Sequence, residues 1–226
     1  MSIRHVIWDF NGTLIDDVDC CVATLNTLLD ERGLPALSRA DYLGRFSFPV
    51  YDFYLGLGFD LAREDFDQLA AVYNARYHAR IDQAAAHAGV HAALSELQSR
   101  AIAQSVVSAS ESTLLHALLA RFGLRAFMTH VRGLDHQRAH SKLDIGLGLQ
   151  RELDLAPDEI LLVGDTLHDH ELASALGCRC LLYARGHQTR ERLMACGAPL
   201  VDSLAEVVEF VDMVRVTVRA ANDTAP

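Results

Sequence analysis

The chain is nearly devoid of lysine: of its 20 basic residues one is Lys, Lys142, and the rest are Arg. Where a diffuse positive charge suffices, this sequence uses Arg. A solitary Lys therefore marks a place that can require a compact ammonium instead of a planar guanidinium; chance placement is the plainer alternative. No run of basic residues exists and the formal net charge is −10, which argues against nucleic acid or an anionic membrane surface as a partner. No apolar stretch reaches bilayer-spanning length, and the N-terminus lacks a basic-then-apolar leader pattern, so a cytoplasmic location is the expectation. Cysteine is scarce and odd in number: Cys20, Cys21, Cys178, Cys180 and Cys196, with no CxxC spacing. That argues against a disulfide framework or zinc knuckle and predicts buried free thiols. Internal repeats and low-complexity segments are also absent.

What is present is a chain of 226 residues, 50% hydrophobic, enough for one sizeable domain or one domain with an insertion. Val6-Ile7-Trp8 reads as a buried strand that stops on Asp9. Phe10-Asn11-Gly12-Thr13 must then bend sharply; taken alone, Asn11-Gly12 between apolar runs also reads as a hairpin turn. Residues 18–32 carry apolar side chains at helical spacing. Ser38 is placed to cap a second helix reaching Phe46, Val50 to Leu57 reads as a third, and Glu64 to Ile81 as a fourth. An all-helical stretch of that length is too long for an ordinary crossover and reads as an insertion.

Alternating helices and strands then resume. Helices are predicted after Gly89-Val90 through Arg100, from Ser112 (as its cap) to Arg121, over 142–153, from His168 to Leu176, and from Ser203 to roughly Val214. Strands are predicted over Ile102–Val107, Phe127–Val131, Ile160–Val163, Cys180–Tyr183 and Leu200–Val201. The small, polar tail after Arg219 predicts disorder. Three strands end in polar groups, at Asp9, Ser108 and Asp165, which a parallel sheet would line up along one edge. That convergence overrules the hairpin. The expected fold is α/β: a doubly wound, parallel (Rossmann-like) sheet formed by residues 1–17 and 85–226, with residues 18–84 as an inserted helical cap domain.

Asp165 and Asp169, four residues apart at a helix start, share one face of its first turn. Simple helix capping is the bland alternative. With Asp9 nearby, three carboxylates meet, and their mutual repulsion requires a cation. An all-oxygen donor set suits Mg2+. A metal, a Lys, a Ser hydroxyl and turn amides together make a phosphate site. Asp9 either holds the metal only or also attacks phosphorus.

In order, Asp9-Phe10-Asn11-Gly12-Thr13-Leu14, Ser108, Lys142 and Gly164-Asp165-(three residues)-Asp169 resemble the four motifs of the haloacid dehalogenase superfamily, and within it the phosphoglycolate-phosphatase-like branch. The resemblance spans residues 4 to about 214. It implies Asp9 as nucleophile and metal ligand, and Asn11 as the position whose backbone carbonyl ligates Mg2+. It implies Thr13, Ser108 with the adjacent Ala109, and Lys142 around the phosphate, and Asp165 and Asp169 as further metal ligands. It also implies a helical cap. Asn11 is a departure: phosphatases of the family usually carry Asp there as general acid and base, and an amide can do neither. Asp16, Asp17, His168 and His170 are the sequence neighbours available as stand-ins, provided they reach; for the two His residues a helix surface is the simpler reading. Haloacid dehalogenases need no Mg2+, which the Asp165/Asp169 pair argues against. Phosphonoacetaldehyde hydrolases need a cap Lys, and residues 18–84 contain none.

Substrate choice is expected in the cap, where Arg45 stands among Phe46, Phe48, Tyr51, Phe53 and Tyr54. Arg45 can hold a substrate carboxylate, or it can be a solvated group above an aromatic core. Arg185 and His187, past the end of a strand at the same edge, are weaker candidates. The expectation is a Mg2+-dependent phosphatase acting on a small phosphate monoester, phosphoglycolate-like among the options, as monomer or homodimer. The alternative is a low-turnover regulatory protein that keeps the phosphate and Mg2+ site.

Overall fold

A computed structural model of the protein describes residues 2–134 and 141–223. The chain opens with β1 (His5–Trp8) and the short β2 (Ile15–Asp16). Helices α1 (Val18–Asp30), α2 (Arg39–Arg45), α3 (Val50–Leu57) and α4 (Phe66–Arg80) follow, and β3 (Ala85–Ala86) closes the helical stretch. Then come α5 (Val90–Ser99), β4 (Ala103–Glu111), α6 (Ser112–Arg121), β5 (His130–Leu134) and α7 (Lys142–Leu153). The chain finishes with β6 (Ile160–Gly164), α8 (Leu167–Leu176), β7 (Arg179–Tyr183), α9 (Arg190–Met194), β8 (Leu200–Val201) and α10 (Leu204–Asp223).

Six strands form one parallel sheet in the order β5-β4-β1-β6-β7-β8. It is a doubly wound α/β sheet, as the alternating pattern predicts. Both faces are covered, so its central strands are apolar on both sides. Val6 and Trp8 of β1 join one core with α5, α6 and α10. Ile7, between them, joins a second core with α7 and α8. From β1 the sheet grows first through β4 and β5 on one side; the chain then returns to start β6 on the other. Ligands bind at such a switch point, outside the carboxyl ends of the strands. Register sharpens the placement, because Trp8 is level with both Val106 and Val163. Asp9 follows directly, and Ser108 and Asp165 lie two residues beyond those partners.

Several elements differ from the sequence expectation. β2 and β3 pair antiparallel, Ile15 with Ala86 and Asp16 with Ala85, which sets the two ends of the helical stretch side by side. Two-residue strands carry no readable periodicity. β5 starts at His130 because pairing with Ser105 of β4 sets its register. β4 runs on to Glu111, with a break in register after Val107 that releases Ser108, Ala109 and Ser110 from the ladder. Glu111, not Ser112, caps α6: its carboxylate accepts from the backbone N–H groups of Thr113 (2.8 Å) and Leu114 (2.9 Å). Ser38 caps α2 as its sequence suggests. α10 continues to Asp223, beyond the expected stop, through two alanines that favour helix. The end of the small polar tail lies outside the described residues. All five cysteines are free; Cys20 and Cys21 are buried, whereas Cys178, Cys180 and Cys196 are half-buried. Among the described residues no helix is long and apolar enough to cross a membrane.

Candidate active site

β1 delivers Asp9 to the sheet edge, where its backbone N–H donates to the Val163 carbonyl at 2.8 Å. Ser141 caps α7, so that Lys142 begins the helix. An ammonium is electrostatically disfavoured at that end of a helix, and here two carboxylates offset this. Its Nζ lies 2.5 Å from Asp9 Oδ1 and 2.5 Å from Asp169 Oδ1. Asp169, in the first turn of α8, accepts from the N–H and hydroxyl of Thr166 at 3.0 and 2.8 Å. Asp165 accepts from the Thr13 hydroxyl at 2.7 Å and the His187 N–H at 2.6 Å. Its carboxylate occupies space that only glycine leaves open. A Cβ on Gly12, which has φ +75°, would strike Asp165 and the His187 ring, and one on Gly186 would strike Asp165.

The ligand oxygens of Asp9, Asp165 and Asp169 lie within 4.8 Å of one another, all three residues buried. Burial pushes Asp9 up, to about 8, with Asp169 and Asp165 adding to the rise against the pull of Lys142. Burial raises Asp165 likewise, to about 6. Burial also acts on Asp169, but Lys142 and Thr166 outweigh it and hold the group below the usual carboxylate range. One ammonium thus faces three buried acids, two of which resist ionising. A divalent cation would supply the missing charge, and this all-oxygen donor set fits a hard one.

A second polar cluster adjoins the first. The Asn11 amide donates to Asp17 Oδ2 at 2.9 Å and to the Tyr77 hydroxyl at 2.7 Å, and its carbonyl oxygen accepts from the Ser110 hydroxyl at 2.8 Å. Tyr77 donates to Asp17 at 2.6 Å, the Gly12 N–H donates to Asp17 at 2.8 Å, and His187 Nε2 stands 3.2 Å from the same carboxylate. The other ring nitrogen of His187 is 2.9 Å from the Tyr42 hydroxyl. Burial would raise Asp17, yet His187, Tyr77 and Asn11 lower it to about 2. Burial would lower His187, yet Asp17 raises it to about 9. The pair is a charged one, and it ties α1, α2, α4 and the loop after β7 to the turn after β1.

Asp9, Asn11, Ser108, Ala109 and Lys142 line a cavity of about 410 Å³ between the sheet edge and the helical stretch. Thr13 and Asp165 pair just behind it, and Asp169 joins through Lys142. Arg45 is not brought in: it is exposed and its guanidinium donates to the Gly56 carbonyl. Of the four stand-ins for an acid, Asp17 alone bonds Asn11. Asp16 and Arg185 are exposed, His168 stacks on Phe48 at 4.7 Å between ring centroids, and His170 does not line the cavity. Sequence reasoning missed Tyr42, Tyr77 and Ser110 and underweighted His187. A glycine directly before His187 was the local signal available, and the structure shows that a Cβ there would strike Asp165. Tyr77 falls inside the helix predicted from Glu64 to Ile81, where nothing local marks it out.

With this geometry in hand, comparisons with known proteins are informative. A family model described as haloacid dehalogenase-like hydrolase matches residues 6–183. A pyrophosphatase, PpaX, from Bacillus velezensis is 28% identical over 171 residues, covering 74% of this chain and 76% of the relative. A phosphoglycolate phosphatase from Synechococcus elongatus is 25% identical over 222 residues, covering 92% and 97%. A haloacid dehalogenase-like hydrolase of Streptococcus pneumoniae superposes with a TM-score of 0.81 at 19% identity, over 92% of this chain and 98% of that one, which speaks to fold alone.

Proposed function

The chain belongs to the haloacid dehalogenase-like hydrolase family, and from that premise we propose that this phosphatase hydrolyses a small phosphate monoester with Mg2+ through an aspartyl phosphate on Asp9. The observation behind the proposal is the meeting of Asp9, Lys142, Asp165 and Asp169 at one strand edge. The names of the relatives, phosphoglycolate phosphatase and pyrophosphatase, agree with phosphoryl chemistry.

In the proposed reaction an Asp9 carboxylate oxygen attacks phosphorus in line with the ester oxygen. The O–P bond to Asp9 forms, the ester P–O bond breaks, and the leaving oxygen departs with its electron pair. Water then attacks the same phosphorus, releasing phosphate and restoring the carboxylate. Lys142, the Ser108 hydroxyl and the amides of the turns at Asn11 and Ala109 hold the phosphoryl oxygens. Asp9, Asp165, Asp169 and the backbone carbonyl of Asn11 would hold Mg2+, which would supply positive charge against the phosphoryl oxygens. Residues 18–84 act as a cap over a core of residues 1–17 and 85–226, closing bulk solvent out while phosphorus is transferred and admitting the single water that hydrolyses the acyl phosphate.

The test is Mg2+-dependent hydrolysis of an aryl phosphate by wild type and by Asp9→Asn. The variant should lose at least about 10³-fold in rate; equal rates would overturn the reading. A second reading rests on Asn11, whose amide is bonded at both ends and offers no acid. On it the protein binds Mg2+ and a phosphate mimic but hardly turns over, and Asn11→Asp raises the rate steeply. High native activity on any phosphate ester removes that reading.

A further inference from the structure

We infer, resting on the phosphatase reading above, that the substrate is the phosphate monoester of an uncharged aromatic hydroxyl compound, whose ring lies among the aromatic side chains of the cavity and whose oxygen departs as a phenolate with no proton donor at Asn11. Two independent features lead there.

The first is the chemistry of the cavity wall opposite Asp9. Phe46, Phe53, Tyr54, Phe66, Tyr73 and Leu114 form it. Among the described residues that line the cavity, Lys142 is the only Lys or Arg, and Asp9 and Asp169 already engage it. His187 is engaged by Asp17 and Tyr42. Apart from His78, an exposed imidazole on α4, a carboxylate-bearing leaving group such as glycolate would meet no cation not already engaged, and it would lie beside Asp17 and Glu111. Burying an unpaired charge costs several kcal/mol and is avoided. An aromatic ring instead completes a set of edge-to-face contacts already in place: Phe46 to Phe53 at 5.4 Å between centroids, and Tyr54 to Phe66 at 5.9 Å. Such contacts favour a further ring beyond its area burial. A cavity of about 410 Å³ is also far roomier than a two-carbon acid requires.

The second feature is Asn11. Its amide hydrogens go to Asp17 and Tyr77, and the Asp17 carboxylate is taken up by Gly12, Asn11, Tyr77 and His187. No group at that position can protonate a departing alkoxide, whose basicity is near that of hydroxide (water pKa about 15.7). A phenol, with a pKa of about 10, departs without help. The electron pair of the broken P–O bond stays on the phenolate oxygen, which takes a proton from solvent once released.

Four substrates separate the two features: phenyl phosphate (ring and good leaving group), benzyl phosphate (ring, alkoxide leaving group), acetyl phosphate (small, good leaving group) and phosphoglycolate (neither). With Mg2+, wild type should favour phenyl phosphate over phosphoglycolate by at least about 10²-fold in kcat/KM, the scale of a missing acid. Benzyl phosphate should inhibit phenyl phosphate hydrolysis competitively yet turn over slowly, and Asn11→Asp should raise its kcat. Acetyl phosphate should be hydrolysed with a high KM. Phosphoglycolate matching or exceeding phenyl phosphate, or benzyl phosphate failing to compete, overturns the inference while leaving the phosphatase reading intact. If neither phenyl nor acetyl phosphate is hydrolysed faster by wild type than by Asp9→Asn, the phosphatase reading falls and this inference with it.

Discussion

One wall of the cavity concentrates charge and the other is built mostly of rings. At the sheet edge Asp9, Lys142, Asp165 and Asp169 are all buried, and each is fixed by backbone N–H groups, caps or one another. Across the cavity, α2, α3 and α4 present rings, joined to the sheet side by polar ties that include Tyr42 to His187, Tyr77 to Asn11 and Asp17, and Gln188 and Arg192 to the Phe46 carbonyl. Charge is held where strand register and helix starts set positions closely. Shape and apolar contact are assigned to helices that are connected to the sheet through a two-stranded ribbon. The difference separates what would react with phosphorus from what would choose the molecule carrying it.

The severest way to break this contrast is Lys142→Met. It leaves Asp9 and Asp169 buried without their cation. Stability without divalent metal should fall by about 3–5 kcal/mol, the usual effect of breaking a buried ion pair, and phosphatase rate by roughly 10²–10³-fold. Urea unfolding in chelator and again in millimolar Mg2+ checks it, with part of the lost stability returning in Mg2+. An unchanged midpoint in chelator would mean that the acids need no cation.

On the aromatic side Phe53 is 4% exposed. Phe53→Ala should cost about 3 kcal/mol in urea unfolding, and this loss should be the same with and without Mg2+. A loss that Mg2+ repairs would join the two walls into one unit.

β1 sharpens the comparison from its other end. His5 is buried beside Ser105, with Nε2 2.8 Å from the Ser105 hydroxyl. Burial, with His130 nearby, lowers it from the usual 6.5 to about 4. The unfolded chain takes up this proton first as pH falls. The stability His5 contributes is therefore complete above about 6.5 and is lost progressively toward pH 4. Relative to His5→Gln, wild type should lose on the order of 2 kcal/mol between pH 8 and pH 4.5. A constant difference would show that charge is tolerated away from the site.

The smallest effect is expected at Arg45, exposed and bonded to Gly56. Arg45→Ala should alter kcat/KM less than about twofold for any phosphate ester, as surface changes generally do. A tenfold rise in KM confined to phosphoglycolate would instead put a carboxylate clamp on the aromatic wall.

Much of the fold was readable locally. Val6-Ile7-Trp8, Ile160 to Val163 and the glycine stops of the helices carry the sheet and its crossovers in their spacing. Ser38 and the start of α3 at Val50 fall where turn chemistry puts them. The two-residue strands, the start of β5 and the capping role of Glu111 were not readable, because each depends on which strand or loop lies alongside. The acidic residues and the solitary Lys could be picked out, and register explains why they meet. The partners of Asn11 could not. Tyr77 is 66 residues away, and the Asp17–His187 pair spans 170.

By itself the sequence determined the alternation of strands and helices, the run of helices between β2 and β3, and an acid or hydroxyl at the end of three strands, because these follow from side-chain periodicity and turn chemistry. Only the tertiary structure decided that Asp17, Tyr77 and His187 close around Asn11, that Arg45 faces solvent, and that the cavity is lined with rings. Those outcomes depend on how helices pack across a sheet edge, where residues far apart in the chain become neighbours and no local pattern records it.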